Sequence, residues 1–148
     1  MKPLPIVCGG AVRLNAKVAR ERFLAEPVAR LATVSTDLRP HIVPIVFAVV
    51  DDTIYSAVDA KPKTTTALRR LANIAANPAV AVLADRYSDD WTHLWWARAD
   101  GTARILDDSE AQQGLDLLTA RYPVYRTQPP PGPVLAIDVT RWSGWSAS

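Results

Sequence analysis

The densest group of chemically useful side chains lies in residues 61–70, KPKTTTALRR, where four of the ten residues are cationic. These four are Lys61, Lys63, Arg69 and Arg70, although the whole chain is close to charge balance. The threonines precede apolar residues at helical spacing, so they predict a helix over about residues 64–76. A helix N-terminus offers unpaired N–H groups and a positive dipole end, which attract anions. The residues alone leave two interpretations open, a seat for one phosphate or an exposed basic helix face.

A second candidate stretch is DRYSDDWTHLWWARADG, residues 85–101, in which tryptophans stand beside Asp and Arg. Aromatic side chains in such a setting form either core or a stacking surface for a flat ligand. Strand alternation predicts that Trp95 and Trp96 point to opposite faces. Both interpretations stay open for these tryptophans.

No familiar catalytic motif is present: there is no G-x-G-x-x-G, P-loop, H-E-x-x-H or G-x-S-x-G sequence. The two histidines, His41 and His93, lack metal-ligand spacing, so we expect no metal site and interpret both as strand residues with local partners. The acid pairs fall at predicted turns or helix starts, where Asp caps the backbone. The sequence therefore identifies no catalytic residue.

Bulk properties narrow the class of protein. Cys8 is the only cysteine, which precludes an intrachain disulfide and predicts a reducing, cytoplasmic location. The formal charge of +2 argues against a nucleic-acid binder, which usually carries a strong basic excess. No window approaches 18 apolar residues, so we expect no membrane span.

Hydrophobic periodicity predicts the order α-β-β-β-α-β-β-α-β. The fold class is mainly β with α (α+β), a six-stranded antiparallel split β-barrel with flanking helices. One domain is expected over residues 1–148, with an N-terminal helix at about 16–26, a barrel at about 28–140 and a tail at 141–148. Residues 41–50 form the most strand-like segment, and Pro44 within it predicts an edge or a bulge because proline cannot donate to a ladder. Asp100-Gly101 is either a tight turn or a bulge in one long strand.

Several stretches, in this order, carry a family resemblance: RLATVS, PHIVPIVFAV, VDAKPK, LRRLANIAANPAVAVLAD and the pattern D-x-Y-x-x-D-W-x-x-L-W-W-x-R-x-x-G-x-A. Over about residues 28–145 the chain resembles the split-barrel superfamily of pyridoxamine-5′-phosphate-oxidase-like flavoproteins. It resembles more closely an actinobacterial branch described as coenzyme F420-dependent (deazaflavin) oxidoreductases. One departure is the turn Asp37-Leu38-Arg39-Pro40, where relatives usually carry Gly before Pro-His.

The resemblance implies homodimers with a cofactor in each of two grooves between subunits. It implies that the family's K-x-x-N pattern maps onto Arg70 and Asn73, and that these residues join Lys61 and Lys63 around the cofactor phosphate. The deazaflavin ring is expected along Val43, Pro44 and Ile45. Trp96 or Trp142 of the partner subunit is expected to complete the wall of the cofactor groove.

The leading hypothesis is an oxidoreductase that moves a hydride between coenzyme F420 and a small organic substrate, since the cofactor carries the difficult chemistry. FMN use in the same groove is the first alternative, and a non-catalytic F420-binding or carrier protein is the second. Arg39 and Arg69 are weaker candidates for the acidic oligoglutamate tail of F420. The substrate and the direction of hydride transfer are not indicated.

Overall fold

The computed structural model describes residues 11–58 and 65–148, with the backbone alone for residues 65–68. Within these ranges three α-helices and eight β-strands occur, together with short 3-10 turns at Trp91–His93 and Pro123–Arg126. The helices are α1 (Ala16–Ala25), α2 (Thr65–Ala76) and α3 (Ser109–Arg121). The strands are β1 (Val12–Leu14), β2 (Ala29–Val34), β3 (Pro40–Ile45), β4 (Ala48–Val50), β5 (Thr53–Ala57), β6 (Ala79–Arg86), β7 (Trp95–Leu106) and β8 (Val134–Ser146).

All strand pairs are antiparallel, in the order β3-β2-β6-β7-β8-β5-β4, and β1 pairs with β8. β3 and β4 stand at opposite ends of this order, yet only Val46 and Phe47 separate them along the chain. The sheet therefore curls until its two ends meet. The predicted mainly β fold with flanking helices is confirmed.

The predicted number of six strands is wrong, because the segment 41–50 is two strands and β1 was not anticipated. The interruption follows from hydrogen bonding. Ser56 Oγ donates to the Val46 carbonyl at 2.8 Å, and the Tyr122 hydroxyl donates to the Phe47 carbonyl at 3.0 Å. Side chains rather than a neighbouring strand thus satisfy the backbone where the chain passes from one end of the sheet to the other.

The C-terminal residues also differ from expectation. Residues 141–146, interpreted as a tail, continue β8 and pair with residues 95–100 of β7. Between Asp100 and Gly101 the β7–β8 register shifts, so the bulge is correct and the tight turn is not. Glycine is required there because a Cβ at residue 101 would lie 2.3 Å from the Asp138 carbonyl oxygen.

Helix α1 packs its buried face against the sheet. Asn15 caps it by accepting a hydrogen bond from the Val18 N–H at 2.9 Å. The ring of Phe23 lies 4.8 Å from that of Phe47 and 5.2 Å from that of Trp142, measured between centroids. These aromatic rings form the centre of the main hydrophobic core.

A smaller core lies under α3, where Leu118 is fully buried with Tyr55 and Tyr125 beside it. Asp108 caps α3 by accepting from the Glu110 N–H at 3.0 Å, as the sequence predicts. Across the described helices, none is both long enough and apolar enough to cross a membrane.

Candidate functional site

A cleft of about 750 Å³ opens where the β2–β3 turn faces helix α2. Its volume falls within the range of about 300–1,000 Å³ that is usual for small-molecule sites. Two walls form it, the turn with the start of β3 on one side and one face of α2 on the other. We call it the cationic cleft, and its lining residues are Ser35, Asp37, Arg39, Pro40, His41, Arg69, Ala72 and Asn73.

The turn wall is held by local hydrogen bonds. The Ser35 N–H donates to the Arg39 carbonyl at 3.1 Å, and the Arg39 N–H donates to Ser35 Oγ at 3.0 Å. The Ser35 hydroxyl also donates to the Asp37 carboxylate. Leu38 takes a φ of 63°, the left-handed region that is unfavourable for a side chain of this type. The turn is thus formed at the cost of backbone strain at one exposed residue.

The helix wall is fixed by a buried polar contact. Asn73 is 5% exposed, and its Nδ2 donates to Thr33 Oγ1 at 3.1 Å; Thr33 is 1% exposed. Ile74, the next residue, lies in the main core. These contacts of Asn73 and Ile74 fix the rotation of α2 about its axis. Arg69 and Ala72, about one turn apart on the same helix, therefore face the cleft.

The cleft has a positive electrostatic character. Arg39 and Arg69 line it and are exposed, while the Arg70 side chain is buried. Asp37 is the carboxylate among the lining residues, and the hydrogen bond from Ser35 is the main reason that its pKa lies below the ordinary value. The pKa of His41 is lowered first by burial and then by the charges of Arg69 and Arg70. Near neutral pH these groups therefore comprise three guanidinium cations, one carboxylate and a neutral imidazole.

Strand β3 borders the cleft and has no partner on its outer side within the described sheet. This agrees with the edge predicted from Pro44, which is exposed. Val43 and Ile45, the residues on either side of Pro44 that were also predicted to contact the ring, are more buried than Pro44. Ile45 is 5% exposed and belongs to the main core, and Val43 packs partly against that core, because alternate strand residues face inward. Along β3, Pro44 and Ile42 are the exposed apolar side chains.

The two tryptophans expected to complete the cofactor wall from the partner subunit do not line the cationic cleft of their own subunit. Trp142 is 9% exposed, packs edge-on against Phe23 and donates its Nε1–H to Asp52 Oδ1 at 3.0 Å, so it is a core residue. The barrel interior, rather than a groove, surrounds it, and we leave it out of the site proposed below. Trp96 is half-buried and lines a separate recess of about 320 Å³ with Leu83, Asp85, Tyr87 and Arg98.

That recess lies on the outer face of β6 and β7, where Arg98 stands 5.7 Å from the Trp96 ring centroid. Trp95 instead packs against the main core, so the predicted division of the two tryptophans between opposite faces is confirmed. A neighbouring recess of about 530 Å³ shares Asp85 and Tyr87 with it.

Of the four cations that drew attention to residues 61–70, Lys61 and Lys63 lie outside the described residues. Arg69 and Arg70 occur on α2 as expected. Sequence reasoning preferred Arg70 for the anion, whereas Arg69 is the exposed one that lines the cleft. Asn73 also lines the cleft, although its Nδ2 is engaged with Thr33.

Sequence reasoning missed His41 as a cleft residue, because nothing local distinguishes it from an ordinary strand histidine. Its place follows from long-range pairing: His41 stands opposite Thr33 in the β2–β3 register, and Thr33 holds Asn73 of α2. The turn residues Ser35 and Asp37 were missed for the same reason.

Comparison with known proteins gives the family. The family model described as pyridoxamine 5′-phosphate oxidase matches residues 16–146. A sequence comparison with curated proteins finds no match.

Solved structures share the fold at low sequence identity. A FAD-binding protein from Mesorhizobium loti is 23% identical, with a TM-score of 0.74, over 93% of this chain and 99% of that one. A FAD-binding protein from Mycobacterium smegmatis is 22% identical, with a TM-score of 0.61, over 90% and 97% of the two chains. A heme-binding protein from the same organism is 16% identical, with a TM-score of 0.72, over 90% of this chain and 54% of that one. Because the family model spans most of the sequence, the chain belongs to the pyridoxamine 5′-phosphate oxidase family.

Proposed function

We propose that this protein binds coenzyme F420 and acts as an oxidoreductase that transfers a hydride between the deazaflavin and a small organic substrate. The observation that carries the proposal is the cationic cleft, in which exposed Arg39 and Arg69 stand beside the unpaired edge of β3. In this proposal Arg69, Arg70, Lys61 and Lys63 surround the phosphate. The sequence resemblance to the F420-dependent branch supports the choice of cofactor.

The donor set suits an oxyanion. Arginine presents a planar fork that donates two parallel hydrogen bonds to a phosphate. His41 also lines the cleft, so an imidazole stands beside the two exposed guanidinium groups. Pro44 and Ile42 add exposed apolar surface along the β3 edge, which suits a flat ring.

When bound, a deazaflavin accepts or donates the hydride. The tasks left to this chain are to hold the phosphate, orient the ring along β3 and keep water away. A catalytic acid–base pair is not required of the protein, consistent with the lack of a catalytic motif in the sequence. Asn73 contributes by holding α2 against β2 through Thr33, which sets where Arg69 stands.

We also propose a homodimer with the cofactor between subunits. The outer face of β6 and β7 supports it, since Tyr87 is 60% exposed and half-buried Trp96 lines a recess beside it, which leaves aromatic surface for a partner to cover. In such a dimer the partner subunit's Trp96 would face the ring, as the resemblance implies.

FMN is the second candidate cofactor, because two proteins of similar fold are FAD-binding proteins and flavins share the ring shape and phosphate. A titration of the purified protein with F420 and with FMN, followed by fluorescence, ranks the two. F420 binding tighter than FMN supports the proposal, and the reverse order supports FMN. Binding of F420 without turnover across a substrate panel would support a carrier instead.

Arg69→Ala tests the site, and Arg126→Ala, which removes an exposed arginine of the Pro123–Arg126 turn, is the matched control. We expect Arg69→Ala to weaken F420 binding about tenfold, since a charge-assisted hydrogen bond is lost, and the control to leave it unchanged. If the double variant Lys63→Ala, Arg70→Ala and the single variant Arg69→Ala all keep full affinity, the anion site is wrong.

A further inference from the structure

His41 is the unusual member of the cleft wall. It lines the cleft, its Nδ1 is buried, and this nitrogen has no hydrogen-bond partner among the described residues. The charged groups around it come from two elements: Arg69 and Arg70 from α2, and Asp37 and Arg39 from the β2–β3 turn. β2 contributes the uncharged Thr33 opposite it.

The surroundings of His41 favour its neutral imidazole. Burial and the two α2 arginines hold the pKa of His41 below its ordinary value of 6.5. A neutral imidazole donates from one nitrogen and accepts at the other, whereas imidazolium donates from both. An oxyanion in the cleft would reverse the balance of charge, because it offsets the arginines and supplies an acceptor to a second N–H.

We propose that the cationic cleft binds an oxyanion together with one proton, which His41 takes up to become a ligand of that anion. This deepens the function proposed above, in which the phosphate of the cofactor is the anion. The site then holds its ligand more tightly in mildly acidic conditions, through a strand residue to which the resemblance assigns no role.

Thermodynamic linkage between proton binding and anion binding gives the direction in which affinity changes with pH. If anion binding raises the pKa of His41, the anion binds most tightly when His41 is protonated, and affinity is lost as pH rises through the pKa of the complex. A dianion within hydrogen-bonding distance is expected to raise the imidazole pKa by about one unit or more. Affinity should therefore fall about tenfold across the window between the free and bound pKa values.

Sulfate is the probe, because it stays a dianion throughout the window, so any dependence on pH comes from the protein. The chain has two histidines, His41 and His93, so their NMR signals are easily assigned with a His41→Gln variant. Titrations of pH with and without sulfate give the His41 midpoint directly. His93 is the internal control, since it lines a different recess.

We expect sulfate to raise the His41 midpoint by about one unit and to leave that of His93 unchanged. Sulfate affinity should weaken about tenfold as pH rises through the two His41 midpoints, measured without and with sulfate in the native protein, and stay nearly flat over the same range in His41→Gln. The NMR midpoint of the native protein tests the proposal even if that variant folds poorly.

Sulfate that binds without moving the His41 midpoint overturns the inference, as does a cleft that binds no sulfate at either pH. The proposed function is tested separately by the titration with F420. If the protein binds F420, Arg69→Ala weakens that binding and sulfate does not move the His41 midpoint, the proposed function is retained and the uptake of a proton is rejected. A sulfate-responsive His41 in a protein that binds neither F420 nor FMN leaves the proton-coupled anion site standing without the function.

Discussion

The contact between Asn73 and Thr33 offers the sharpest test of how the site is built. The two side chains are 5% and 1% exposed and are joined by one hydrogen bond of 3.1 Å. Asn73→Ala would leave the Thr33 hydroxyl buried without this donor, and Thr33→Val would leave the amide without this acceptor. An unsatisfied buried polar group costs about 1–3 kcal/mol, so we expect each single variant to lose about 2 kcal/mol of unfolding free energy.

The double variant removes both partners and should lose less than the sum of the single losses. We expect a coupling energy of about 1 kcal/mol from the double-mutant cycle. Urea unfolding, followed by tryptophan fluorescence, measures all four proteins, and an unchanged m-value would show that the unfolded state is the same. Losses that add to within about 0.5 kcal/mol would refute a direct interaction between the two side chains.

The same variants separate two roles for Asn73, which sequence reasoning assigned to the cofactor. If Asn73 acts by holding α2, both single variants weaken F420 binding alike, because either one releases the helix that bears Arg69. If Asn73 touches the cofactor itself, Asn73→Ala weakens binding much more than Thr33→Val does. We expect the first result, since the Asn73 amide already donates to Thr33.

Three further predictions concern stability. Arg121→Met should lower the free energy of unfolding in urea by about 3 kcal/mol, because Arg121 donates to the carbonyls of Leu24, Glu26 and Phe47 at 3.1, 2.5 and 2.5 Å. The exposed control Arg126→Met should lower it little, and equal effects of the two variants would contradict this. Leu38→Gly should raise the unfolding free energy by about 0.5–1 kcal/mol, since glycine relieves the left-handed φ of 63°, and a lower melting temperature would count against strain there. Hydrogen bonds from Arg104 and then Tyr55 lower the pKa of Glu110, so the stability that Glu110 contributes is present above its ordinary pKa of 4.5 and is lost as pH falls through the lowered pKa. Glu110→Gln should therefore make the unfolding free energy fall less steeply at acidic pH, and an unchanged slope would contradict this.

Local sequence signals predicted the helices well. Asn15 and Asp108 have short polar side chains that satisfy free N–H groups at a helix start, so each marks its helix without reference to the rest of the fold. The proline at position 44 likewise predicted an edge strand from its missing N–H alone. Such signals depend only on the residue and its neighbours in sequence, so the tertiary fold does not alter what they predict.

Strand boundaries were less predictable. The continuous apolar run 41–50 has the composition of one strand, yet it ends at Ile45 and resumes at Ala48. The cause is the set of bonds that Ser56 and Tyr122 make to the carbonyls of Val46 and Phe47, and Tyr122 is 75 residues away from Phe47. The pairing of residues 141–146 with β7 is equally long-range.

The sequence by itself determined the composition of the site: a cationic stretch before and within α2, a proline at a sheet edge, and a family pattern that the family model confirms. Only the tertiary structure decided which side chains share the cleft. It placed Arg69 along the opening and buried Arg70, moved Trp142 into the core, and brought His41 and the β2–β3 turn to face α2. The physical reason is that charge and helix propensity are properties of single residues, whereas burial depends on strand register and on which partner satisfies each buried polar atom.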